Sequence, residues 1–142
     1  MKSKLSLPLF GALALLLFAR SVPGLDGVVI THEGVGTTKL TPAGLKDILT
    51  GKTGFWEGGQ AVTVVFVVEK TDAALKEVTG MDSGAFKTFW QRLVFSGRGQ
   101  QPKRVEEGAA AVALVSATKG AVAIVPAGTV AKGVKVLEIQ GN

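Results

Sequence analysis

Three polar residues that could bind a small anion follow an apolar run in the middle of the chain. Residues 61–68 contain Thr63 as their only polar residue, and Lys70, Thr71 and Asp72 come directly after them. Such a run is typical of a strand covered on both faces, and the next residues would open a short helix. A lysine ammonium, a hydroxyl and the free amides of a helix start can together hold an anion. Alternatively, Thr71 or Asp72 is an N-cap and Lys70 a solvated charge.

Thr31 and His32 form a second candidate pair. They end the first apolar run, residues 27–31, and enter the turn at 32–34. Open α/β sheets bind ligands at the carboxyl ends of their strands, so we predict that this pair and Lys70 lie at one such edge. His32 is the only histidine, and a histidine in this setting is more often a surface or turn residue than a ligand.

A basic loop offers another surface. Arg98, Lys103 and Arg104 lie in or beside the Gly- and Pro-containing segment 97–103 and could line an anion-binding or partner-binding face. A solvated loop is the simpler interpretation. Trp56 and Trp90 could stack on a ligand, but their settings, a turn and an apolar helical stripe, favour structural roles.

Catalytic and metal chemistry have little to build on. There is no cysteine, and the single histidine would have to pair with distant serines to form a nucleophilic triad. The sequence Gly51-Lys52-Thr53 lacks the upstream glycine of a phosphate loop, because position 46 is lysine. We therefore predict a protein that is not an enzyme and that has no cofactor or metal site.

The elements that would position these residues alternate between strands and helices. Thr41 and Pro42 open a helix that Gly51 ends, and an apolar stripe from Phe86 to Val94 predicts the main core helix. Short turns between alternating elements predict an α/β fold with a mostly parallel sheet and helices on both faces. The predicted strands are 27–31, 61–68 (the central strand), 121–125 and 134–139 (an edge strand). The predicted helices are 42–50, 72–79, one that begins after Asp82 and Ser83, and 106–118.

The N-terminal segment 1–24 is predicted to be a signal peptide. Lys2 and Lys4 precede an apolar run from Leu5 to Phe18, which is shorter than the ~20 residues that cross a membrane. We expect a periplasmic protein that is one domain over residues 25–142, with no membrane span after cleavage. Removing three of the 16 bases leaves 13 against 11 acids. That balance, without a basic run, argues against nucleic acid as a partner.

Four segments of the chain are similar in sequence to a known family. They are LKDILTGK at 45–52, FWEGGQ at 55–60, Phe89-Trp90 with FSGRG at 95–99, and TKGAVAIV at 118–125. In this order they resemble one lobe of the phosphate-binding proteins of ABC importers. The chain is more closely similar to the small, single-lobe exported proteins called phosphate-transporter substrate-binding-like, over about residues 26–137. The resemblance implies one lobe of a type II periplasmic-binding-protein fold.

The chain departs from that family at its anion-binding loop. The family's central strand runs into an Arg-x-Asp-x-Ser-Gly-Thr-like loop, whereas residues 67–74 here contain neither the arginine nor the Ser-Gly-Thr element, and Glu69 adds a negative charge. Two hypotheses follow. The domain binds phosphate or another small anion weakly for an ABC-type importer, with a membrane permease as partner. Alternatively, it has lost the pocket and is an exported accessory domain that binds proteins through a surface such as 134–139.

Overall fold

The computed structural model describes residues 25–140, so the predicted signal peptide lies outside the described residues. None of the helices within this range is long and apolar enough to cross a bilayer. The elements in chain order are β1 (Val28–Thr31), β2 (Lys39–Leu40), α1 (Pro42–Leu49), β3 (Thr63–Val67), α2 (Asp72–Thr79), α3 (Ser83–Phe95), β4 (Lys103–Val105), α4 (Gly108–Ala117), β5 (Ala121–Val125) and β6 (Lys135–Ile139).

The six strands form one sheet in the order β2-β6-β1-β5-β3-β4. Strand β3 is parallel to both β4 and β5, and β2 is parallel to β6, whereas β1 is antiparallel to its neighbours β5 and β6. Five strands therefore run in one direction and β1 runs in the other. The predicted mostly parallel sheet is confirmed, with β1 as the exception.

Helices cover both faces of the sheet, as predicted. The larger core cluster joins one face to α1, α2 and α3, and the second joins the other face to α4. All five residues of β5 are buried, and alternate residues enter the two clusters: Val122 and Ile124 pack on the first, Ala121, Ala123 and Val125 on the second. The alternation of side chains along a strand explains why this run is continuously apolar.

Both tryptophans are structural, as their sequence settings indicated. The Trp56 side chain is buried, and its Nε1 donates to the Gly120 carbonyl oxygen at 2.9 Å. Trp90 is also buried, and its Nε1 donates to the Leu49 carbonyl oxygen at 3.0 Å. Gly120 is required here because its φ is +77° and a Cβ would lie 2.0 Å from the Ala61 carbonyl oxygen. These contacts fix the turn after α1 against the sheet.

The prediction that residues 61–68 form the central strand is wrong. Strand β3 is second from one end of the sheet, and β1 and β5 occupy the middle. The outer position belongs to β4, which pairs with β3 from Val65 opposite Lys103 to Val67 opposite Val105. Strand β4 has only three residues, two of them basic, and shows no alternating apolar pattern. The sequence therefore predicted a loop and then a helix there.

The prediction that residues 134–139 form an edge strand is also wrong. Strand β6 lies between β1 and the two-residue strand β2. The Glu138 amide donates to the Thr38 carbonyl at 2.9 Å, and the Gln140 amide donates to the Leu40 carbonyl at 2.8 Å. A strand as short as β2 is invisible to pattern analysis, yet it covers the carboxyl half of β6.

Candidate functional site

The predicted site residues lie at opposite ends of the strands: Thr31 and His32 at one end, and Lys70, Thr71 and Asp72 at the other. Thr31 pairs with Val122, near the start of β5, and the His32 amide donates to the Ala121 carbonyl at 3.0 Å. Lys70 follows the end of β3, which is parallel to β5. The expectation that these residues lie together at one end of the strands is therefore wrong, because β1 is antiparallel to the other strands.

Thr31 is buried, and His32 bonds within its own turn. The Thr31 side chain is fully buried, and its hydroxyl has no hydrogen-bond partner among residues 25–140. His32 Nδ1 accepts a hydrogen bond of 2.9 Å from the Gly34 amide. That bond closes the turn after β1, so the histidine has the turn role that its sequence setting favoured.

Thr71 occupies the N-cap position of α2 but does not cap it with its side chain. The residue is 2% exposed, and its hydroxyl donates to the Val67 carbonyl at 2.6 Å. This bond turns the hydroxyl back toward β3. The preceding Lys70 is exposed and has a φ of +61°, in the left-handed region.

Asp72 links α2 to α3. Its carboxylate accepts hydrogen bonds from the Ser83 hydroxyl and, at 3.0 Å, from the Ser83 amide. These two bonds, with a smaller contribution from Lys76, hold the pKa of Asp72 below its usual range. The interpretation of Asp72 as the N-cap of its own helix is wrong, because α2 begins at Asp72 and the carboxylate binds the start of α3 instead.

The starts of α2 and α4 lie at the same end of the sheet, beyond the carboxyl ends of the parallel strands β3 and β4. The Val68 amide donates to the Val105 carbonyl at 3.0 Å and the Glu69 amide to the Glu106 carbonyl at 2.9 Å, so pairing continues past both strands. Neither helix has a side-chain cap, whereas Thr41 caps α1 and Asp82 caps α3. We call this region the acidic edge; its charged residues, all exposed, are Glu69, Lys70, Asp72, Glu106 and Glu107.

The loop after β5 covers the start of α4. A Cβ on Gly108 would lie 2.6 Å from Thr129 Oγ1 and 3.0 Å from Pro126 Cδ. Thr129 Oγ1 in turn donates to the Pro126 carbonyl oxygen at 2.7 Å. The close approach requires glycine at position 108.

A different surface gathers positive charge. Two cavities of about 190 and 310 Å³ adjoin each other beside α3 and the loop 97–103, and both are lined by Trp90 and Gln101. We call them together the basic groove. Four bases line it and no acid does; the bases are Lys87, Arg98, Lys103 and Arg104. The sequence singled out the last three, but not Lys87, which follows Phe86 of the apolar stripe and carries no signal of its own.

Comparisons with known proteins define the fold. No protein-family model and no curated protein matches the chain. A protein described as a phosphate ABC transporter substrate-binding protein from Clostridium perfringens, solved with bound phosphate, matches with a TM-score of 0.61 and 21% identity, over 80% of this chain and 44% of that one. PstS from Borrelia burgdorferi matches with a TM-score of 0.59 and 15% identity, over 81% and 47%.

An ABC-type phosphate transport receptor from Vibrio cholerae also matches, with a TM-score of 0.53 and 21% identity, over 82% of this chain and 46% of the receptor. The chain thus spans less than half the length of each of these solved structures. Likeness at this identity concerns the fold. The described residues have the fold of one lobe of phosphate ABC transporter substrate-binding proteins, as the sequence resemblance predicted.

Proposed function

We propose that this chain is an exported, solute-binding-like domain that serves an ABC-type importer or another exported partner through protein contacts, and that it does not hold phosphate tightly by itself. The observation that carries the proposal is the acidic edge. It carries four exposed carboxylates and one exposed lysine, Lys70, at the place where this fold would bind an anion.

Charge and hydrogen bonding both oppose phosphate at this edge. Two unit charges 4 Å apart interact by about 1 kcal/mol in water and about 4 kcal/mol near a protein surface, so carboxylates beside a phosphate are costly. The Thr71 hydroxyl is already bonded to the Val67 carbonyl. Asp72 carries its negative charge at the first position of α2, where it competes with an anion for the helix start.

Weak anion binding is the second candidate function. The first-turn amides of α2 have no side-chain cap, and Lys70 is exposed beside them. One structurally similar protein was solved with bound phosphate. Under this candidate, Lys70 and the α2 amides hold phosphate loosely, with the anion largely in water. In both candidates the role is binding rather than catalysis, in keeping with the transport proteins of similar fold.

Calorimetric titration of phosphate into the purified protein, with sulfate in parallel, separates the two. If no saturable heat is measured at phosphate concentrations below about 1 mM, the first candidate is supported. A dissociation constant above 1 mM corresponds to a binding free energy of less than ~4 kcal/mol. Millimolar binding that Lys70→Ala abolishes supports the second candidate. Stoichiometric binding at micromolar concentration overturns the first. A matched control, Lys132→Ala, changes an exposed lysine of the 126–134 loop.

Export needs its own experiment. The predicted signal peptide over residues 1–24 implies that the protein accumulates outside the cytoplasm in a shortened form. Cell fractionation with mass spectrometry of the N-terminus measures both. Full-length protein that stays in the cytoplasm would refute the exported part of the proposal.

A further inference from the structure

The basic groove has a buried apolar floor. Phe86 and Trp90 are buried, and the rings of Phe66 and Phe86 lie 5.3 Å apart. The Trp90 Nε1–H is committed to the Leu49 carbonyl, so the indole presents carbon surface and no donor. The cavity of about 190 Å³ above these rings has room for one or two aliphatic side chains.

An open strand edge runs beside the groove. Strand β4 ends the sheet and pairs with β3 on one side; no other strand of residues 25–140 pairs with its outer side. An unpaired edge accepts an extended segment through main-chain hydrogen bonds. Lys103 and Arg104 are exposed on this edge, and the same charges on a second copy would repel it, which disfavours self-pairing.

The charge around the groove selects the partner. The lining contains Lys87, Arg98, Lys103 and Arg104 and no acid. Arg104 reaches Glu106 at 3.5 Å, with side chains 57% and 76% exposed. An exposed pair of this kind contributes little, so a carboxylate from a partner can replace Glu106 at small cost.

We propose that the basic groove and the outer side of β4 bind an extended acidic segment of a partner protein. Every second side chain of such a segment would point to the α3 face of the sheet. An apolar residue at one of these positions would enter the cavity over Phe86, and carboxylates at the neighbouring ones would contact Arg104 and Lys87. Backbone hydrogen bonds to β4 would fix the register, and the charges would speed association. This inference rests on the proposed function, since it names the surface and the class of partner through which the domain works.

The test measures fluorescence anisotropy of a short synthetic peptide in which glutamate and leucine occupy every second position in turn, with serine between them. A matched peptide has lysine in place of glutamate. We expect saturable binding of the acidic peptide alone, weakening as salt rises. The double variant Lys87→Glu, Arg98→Glu should weaken it by about tenfold or more. The control Lys119→Glu, Lys132→Glu changes two exposed lysines outside the groove and should leave binding within about twofold.

All four substituted positions are exposed, so circular dichroism should report unchanged folding in both double variants. The acidic peptide methylated on alternate backbone nitrogens should bind more weakly, because it cannot complete the strand pairing. Equal binding of the acidic and basic peptides, no binding of the acidic peptide, or equal losses in both double variants would overturn the inference. If the acidic peptide fails while phosphate also shows no heat, the groove inference falls and the proposed function stands; micromolar phosphate binding overturns the proposed function instead.

Discussion

The acidic edge and the basic groove are neighbours that differ in charge. The groove includes residues of β3 and β4, and the acidic edge lies directly after these two strands. Arg104 lines the groove, and Glu106, two residues further along the chain, belongs to the edge. The edge is where this fold binds ligands in general, yet it carries four carboxylates. The groove lies beside it and carries four bases. The fold therefore provides a position, while the side chains at that position determine what can bind there.

The two regions also differ in how they are built. The floor of the groove consists of buried core residues, Phe86 and Trp90, that also join α3 to the sheet. The charged side chains of the acidic edge are exposed and lie at or just before helix starts. Asp72 among them, and the buried Thr71 beside it, bond to the protein itself. Substitutions in the groove floor should therefore lower the free energy of unfolding, and charge substitutions at the acidic edge should change the affinity for phosphate.

Trp90→Ala should have the largest effect. It removes a buried indole and its hydrogen bond to the Leu49 carbonyl, and should lower the free energy of unfolding by about 3–5 kcal/mol. Trp90→Phe keeps most of the packing and should cost less. Denaturant unfolding measures both. Glu107→Ala at the exposed edge should stay within about 0.5 kcal/mol of the wild type. If Trp90→Ala were as stable as that control, Trp90 would not be a packed part of the groove floor.

Thr71→Val should have the next largest effect. It deletes the hydroxyl that donates to the Val67 carbonyl and leaves that carbonyl buried without this partner, at a cost of about 1–1.5 kcal/mol in unfolding free energy. Thr71→Ser, which keeps the hydroxyl, should recover most of the loss. Phosphate titration of Thr71→Val should be indistinguishable from the wild type. A change in phosphate binding without a change in stability would return Thr71 to the list of ligands.

Glu69→Arg should make the acidic edge more favourable to anions. It exchanges a negative for a positive charge beside the start of α2 and should raise phosphate affinity by about threefold, or ~0.6 kcal/mol. Glu57→Arg makes the same change in an exposed turn after α1 and serves as the control. Titration of both variants gives the comparison. An equal gain in the two would show that net charge alone is responsible, and no gain would show that the edge cannot be converted by charge.

Much of the fold could be predicted because its signals are local. The β-branched run at 121–125 is β5 in the structure, and α2 has its predicted bounds because Gly80 provides the left-handed C-cap. Thr41 caps α1 as the sequence indicated. The strands β2 and β4 were missed since two or three residues contain no period. The reversed direction of β1 depends on how distant strands pair, which no local pattern contains.

The site was predicted less well for the same reason. Placing Thr31 and His32 with Lys70 assumed that all strands point one way, and the antiparallel β1 separates them. The bonds from Thr71 to Val67 and from Ser83 to Asp72 require knowledge of where the chain returns. The basic loop was visible in the sequence, but the cavity that joins Arg98 to Lys103 required the packing of α3 against the sheet.

Asp72→Asn should have the smallest effect, visible only in acid. The Ser83 hydroxyl and amide lower the pKa of the folded-state carboxyl, so the unfolded state binds its proton first as the pH falls. The stabilisation is therefore complete above the usual carboxyl pKa of about 4 and is lost as the pH falls through the lowered folded-state value. Asparagine can still accept from Ser83 but does not titrate. The melting temperature of Asp72→Asn should thus fall less steeply than that of the wild type below about pH 4.

Glu77→Gln, on the exposed side of the same helix, should keep the wild-type slope. Parallel slopes for Asp72→Asn and the wild type would mean that the bond between α2 and α3 does not persist in solution, and the start of α2 would then be free to bind an anion.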